Sequence, residues 1–164
     1  MATKANFTKD EWSRVLASPV ITGMAITAAD PSGLWGLLKE GVTSAWALMN
    51  AKQDTSANAL VRAVAEEFAG GDDWSLVRER LQAMTGGAQG ADVKQMAVSE
   101  LRSLSAILDT KAPEDASVFK RWLRDIAQQA AEAGNEGGFL GFGGVAVSDA
   151  EKATLSEISA ALNL

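Results

Sequence analysis

The chain of 164 residues carries 47% hydrophobic and 22% charged side chains, the proportions of one soluble globular domain. It has five Trp and five Phe but no His, Cys or Tyr, which excludes Ser-His-Asp and Cys-His relays, disulfide frameworks, zinc fingers and iron–sulfur clusters. The formal charge is −6, and residues 113–164 contribute eight acidic side chains against four basic ones; an acidic chain without a basic stripe is poorly suited to a nucleic-acid backbone.

The first residues, Met-Ala-Thr-Lys-Ala-Asn-Phe, lack the apolar core and cleavage site of a secretory leader, so a cytoplasmic address is expected. Thr8 and Glu11 have capping-box spacing, and Phe7 can staple onto Trp12, which predicts a helix over Lys9–Ala17. Ser18-Pro19 reads as a fresh cap followed by proline at the first helical position, so a second helix is expected over Pro19–Ala29. Its Val20, Ile21, Met24 and Ile26 leave almost no polar face and place it in the core.

Asp30-Pro31 repeats that device and opens a third predicted helix ending near Gln53, with Leu34, Leu38, Val42, Ala45 and Met49 on one face. The charge-poor stretch Val15–Leu38 invites a membrane reading. Its intact piece Pro19–Ala29 has only eleven residues, whereas a spanning helix needs about 20. Trp35, just after the Pro31-Ser32-Gly33 turn, is a candidate for a half-wet surface aromatic; the other four Trp fall on or beside apolar stripes and read as core.

Further helices are predicted over Ser56–Ala69, with Leu60, Val61, Val64 and Phe68 inward, and after the Asp72-Asp73 cap, with Trp74, Val77, Leu81 and Met84. The glycine-rich run 85–90 reads as a surface loop that at most subdivides a single domain. Ala91–Thr110 sets Val93, Ala97, Leu101, Leu104 and Leu108 on a stripe. The helix opened by Pro113 turns Phe119, Trp122, Leu123, Ile126 and Ala130 inward and Arg121, Arg124, Asp125 and Gln128 outward. The last helix starts at Ser148, boxed by Glu151, and buries Leu155, Ile158 and Leu162. The sum is an all-α, single-domain bundle of seven to eight helices.

One segment breaks the helical pattern. Gly137, Gly138, Phe139, Leu140, Gly141, Phe142, Gly143 and Gly144, running into Val145-Ala146-Val147, predict a short β-hairpin or compact loop. Its two Phe side chains either plug the end of the bundle or form an exposed contact for a partner. A phosphate cradle does not fit, because Gly144 leads into valine and not Lys-Ser/Thr, and Asp149 and Glu151 occupy the first turn of the next helix.

The adjacent carboxylates Glu66-Glu67, Asp72-Asp73 and Glu114-Asp115 lie at helix ends or on polar faces and lack the regular spacing of a calcium loop. Lys120, Arg121 and Arg124 form the most basic local patch, with Asp125 and Glu114-Asp115 close enough to neutralise it.

Two stretches carry a resemblance: Asp30-Pro31-Ser32-Gly33-Leu34-Trp35-Gly36-Leu37-Leu38-Lys39-Glu40-Gly41, and the run from Phe119-Lys120-Arg121-Trp122-Leu123 to Val147-Ser148-Asp149-Ala150-Glu151-Lys152-Ala153-Thr154-Leu155. Together they resemble a family of small, all-helical, uncharacterised bacterial proteins, and the likeness implies no activity, cofactor or catalytic residue. The final thirty residues bear a slighter likeness to TerB-like helical domains of tellurite resistance, which bind metal through acidic residues; it carries no site across.

These readings converge on a helical protein-interaction or self-assembly module without cofactor, contacting a protein partner or its own copies. The candidate surface is the loop Gly137–Gly144, with Trp35, Arg121 and Arg124 as secondary positions. Two alternatives stand beside it: peripheral membrane association through 15–38, and a carboxylate-based metal site or enzyme.

Overall fold

A computed structural model of the chain describes residues 1–29, 58–70, 74–88, 91–133 and 147–164. After a 3-10 turn at Lys4–Asn6, the described residues form six helices: α1 Lys9–Ala29, α2 Ala59–Gly70, α3 Trp74–Thr85, α4 Ala91–Lys111, α5 Pro113–Ala133 and α6 Asp149–Ala161. No strand occurs among the described residues, so the all-α class stands. The expected third helix, residues 137–146 of the expected hairpin and Trp35 lie outside those residues.

The entry to α1 follows the local code. Thr8 N donates to Glu11 Oε2 at 2.7 Å and Glu11 N donates back to Thr8 Oγ1 at 3.3 Å. The Phe7 ring sits over Trp12 with centroids 6.0 Å apart, closing the staple. The amide hydrogen bond from Thr8 is the main reason the Glu11 carboxyl is held below the ordinary glutamate range.

The predicted break at Ser18-Pro19 is absent: α1 runs unbroken through Pro19 to Ala29. Proline leaves the carbonyl four residues earlier without its amide donor, and that carbonyl belongs to Val15. The Ser18 hydroxyl turns back and donates to it at 2.7 Å. Ser18 therefore repairs the preceding turn where a cap would have opened the next one. Thr22 Oγ1 donates in turn to Ser18 O at 2.8 Å, so the buried hydroxyls of Ser18 and Thr22 are satisfied by the helix's own backbone.

Helix α1 is the axis of the bundle and packs against all five other described helices. Its Val15, Leu16, Ile21, Ala25 and Ile26 join Leu60 and Val64 of α2, Leu101, Leu104 and Leu108 of α4, Phe119 and Leu123 of α5, and Ile158 of α6 in one core cluster. The stripes expected on α4 and α5 are those buried, apart from Ala130, which is half-buried. The box at Ser148 and Glu151 also forms, with Ser148 N donating to Glu151 Oε2 at 2.8 Å.

Leu155, expected inside with Ile158 and Leu162, is only half-buried, and two side chains depart further from the sequence expectation. Trp74 is 38% exposed and stands edge-on to Phe68, ring centroids 5.0 Å apart, because it begins α3 at the periphery of the bundle. Lys120 is not part of a solvated basic face. It is only 4% exposed and donates from Nζ to Asp109 Oδ1 at 2.7 Å, bridging α5 to the end of α4.

Candidate functional site

The densest polar constellation among the described residues joins α1, α3 and α4. Asp10 and Arg14 are one helical turn apart on α1, the spacing that brings side chains together. Arg14 donates from Nε to Asp10 Oδ2 at 3.1 Å and from Nη1 to both Glu100 oxygens, at 2.9 and 2.8 Å. Arg80 of α3 meets the same two carboxylates: Nε donates to Glu100 Oε1 at 2.8 Å, Nη1 to Asp10 Oδ1 at 3.1 Å, and Nη2 again to Glu100 Oε1. Two guanidinium groups and two carboxylates cancel in charge, and the planar forks are held from several directions.

An open groove of about 640 Å³ runs along the α3–α4 seam beside this network. Arg80, Met84, Met96, Val98, Glu100 and Arg102 line it. Met96 is 37% exposed, a large apolar side chain presented to water on a flexible, polarisable stem. Glu100 is already neutralised by two arginines, so the exposed Arg102 leaves the groove with a surplus positive charge.

Arg124 lies elsewhere, in a shallower groove of about 310 Å³ between α5 and α6 that Gln128, Leu155 and Leu164 also line. The Arg121 side chain folds back onto its own helix, donating from Nε to Ser117 O at 3.1 Å. Lys120, next to Arg121 in sequence, is buried and bonded to Asp109 of α4. The sequence patch of three cations is thus divided. Gly137–Gly144 and Trp35 lie outside the described residues.

Of the three carboxylate pairs, Asp72-Asp73 lies outside the described residues, and Glu114 and Asp115 both approach the terminal ammonium, at 3.2 and 3.8 Å. Glu67 accepts from Lys4 Nζ at 3.0 Å, Glu114 is exposed, and Asp115 is buried. Among the described residues no three His, Cys, Asp or Glu side chains gather to hold a metal ion. The first half of the segment read for membrane contact, residues 15–29, lies mostly in the bundle core, and no described helix is long and apolar enough to cross a membrane.

The chain matches no protein-family model, no curated protein and no solved structure.

The α1–α3–α4 network escaped the sequence reading, although a signal for it exists. Glu100 falls three residues after Ala97 and four before Leu104, and Arg80 three after Val77 and four before Met84. Both charges therefore occupy positions on an apolar stripe. A charge at stripe spacing announces a buried partner without naming it, because that partner is 20 or 86 residues away.

Proposed function

We propose that this protein is a non-enzymatic helical module that binds another protein, with the α3–α4 groove as its contact face. The observation that carries the reading is the exposed Met96 beside Arg102 on a groove backed by the Arg14–Glu100–Arg80 network. Methionine surfaces adapt to apolar partner side chains, an arginine at the rim selects for acidic ones, and a backing fixed by several charged hydrogen bonds supplies a preorganised surface. The groove is too open and too polar for a small-molecule site, which encloses its ligand in largely apolar walls. Gly137–Gly144 remains a second contact element on the strength of its sequence alone.

The test places a photo-crosslinking residue at Met96 and, in a second protein, at the exposed Lys152 of α6. Position 96 is expected to yield a discrete adduct in cells that Arg102→Glu abolishes, while position 152 yields none. Sedimentation of the purified protein across the micromolar range then separates self-association from a different partner. Indistinguishable crosslinking at 96 and 152 would sink the assignment of the groove.

A further inference from the structure

Helix α3 is anchored unlike its neighbours. Over its twelve residues Val77 alone is fully buried, with Leu76, Leu81 and Met84 only partly covered. The equally long α2 buries Leu60, Val61 and Val64. What α3 lacks in apolar contact is made up by Arg80, whose guanidinium makes three hydrogen bonds to carboxylates on α1 and α4.

The C-terminal exit of α3 is a turn of two glycines. Gly86 and Gly87 have φ of 51° and 88°, a region that other residues rarely adopt, and a Cβ at either would meet nothing within 4 Å. The turn is held by backbone bonds alone, Gly86 N to Gln82 O at 2.9 Å and Ala88 N to Thr85 O at 2.7 Å, with open space around both Cβ positions. The groove lined by Arg80, Met84, Met96 and Val98 already parts the outer edge of the α3–α4 seam.

We infer that α3 is a hinged flap, latched onto α1 and α4 by Arg80 through Glu100 and Asp10, that opens about Gly86–Gly87 as one unit while the rest of the bundle stays folded. Opening exposes the apolar surface of α1 and α4 beneath Val77. Elements with few buried contacts open at lower free energy than the global transition, and a latch made of charged hydrogen bonds weakens with loss of either carboxylate. The inference goes beyond the contact face proposed above and stands whether or not the groove takes a partner.

The absence of cysteine makes the motion directly measurable. A single thiol is introduced at Val77→Cys under α3, or at Ser105→Cys, a buried position on α4 that serves as control. Under native conditions the thiol at 77 is expected to react with a disulfide reagent about ten-fold or more faster than the thiol at 105, since sub-global opening is more frequent than global unfolding. Adding Glu100→Gln should accelerate labelling at 77, and labelling at 77 should depend less steeply on urea than labelling at 105, because sub-global opening exposes less surface. Hydrogen exchange of the unaltered chain reads the same event without substitution: amides of 74–85 exchange ahead of the centres of α1 and α4. A common rate at 77 and 105, an equal urea dependence at the two positions, no acceleration at 77 by Glu100→Gln, or uniform exchange protection across α1, α3 and α4 would overturn the inference.

Discussion

Asn58 Nδ2 donates to Asp115 Oδ1 at 3.2 Å, and this bond joins the start of α2 to the start of α5 inside the protein. The same Asn58 accepts at Oδ1 from Leu60 N and Val61 N, both at 3.0 Å, capping α2 in the manner that favours Asn at this position. Asp115 also accepts from the Ala2 amide at Oδ2, so one buried carboxylate gathers two helices and the N-terminal segment. Asp115→Ala leaves these donors without their acceptor and should cost about 1–3 kcal/mol. Glu114→Ala, at the exposed neighbour, should cost about 0.5 kcal/mol or less. Urea midpoints at unchanged m-value distinguish the two.

Ser18 and Pro19 form a compensated pair. Ser18→Ala alone strands the buried Val15 carbonyl, at an expected cost of about 1–3 kcal/mol. Pro19→Ala returns an amide that can bond Val15 O directly, so adding Ser18→Ala to that background should cost about 1 kcal/mol less than it does in the native chain. A double-mutant cycle by urea denaturation gives the coupling. Strict additivity would show that the hydroxyl does not stand in for the missing amide.

Lys120 and Asp109 should respond unequally to substitution. Lys120 is buried, whereas the Asp109 side chain is half exposed, so removing the carboxylate leaves a desolvated ammonium and removing the lysine leaves a carboxylate that water can reach. Asp109→Ala is expected to destabilise by about 1–3 kcal/mol, at the low end for a broken pair because the site is open on one side, and Lys120→Met by less than about 1 kcal/mol. Thermal unfolding of the two variants in the same buffer checks the order, and a larger cost for Lys120→Met would contradict it.

Local readings succeeded where the interaction is local. Thr8 with Glu11, Phe7 with Trp12 and Ser148 with Glu151 lie within five residues of each other, and their spacing alone brings the partners within reach. The stripes of α4 and α5 succeeded because their apolar residues recur with the period of the helix. Ser18-Pro19 misled because its two outcomes share one local signature. A serine hydroxyl can cap the turn ahead or bond the carbonyl behind, and burial of Val15–Ile21 within the bundle selects the continuous helix.

By itself, then, the sequence determined the all-helical class, the faces those helices bury and the catalytic chemistries that a chain without His or Cys cannot perform. Period and capping are properties of neighbouring residues. Only the tertiary structure decided that Glu100 faces Arg14 and Arg80, that Lys120 turns inward to Asp109, and that Met96 and Arg102 share a groove. The first two link charges across different helices and the groove forms only where α3 lies against α4, so long-range packing sets the distances and no spacing along the chain encodes them.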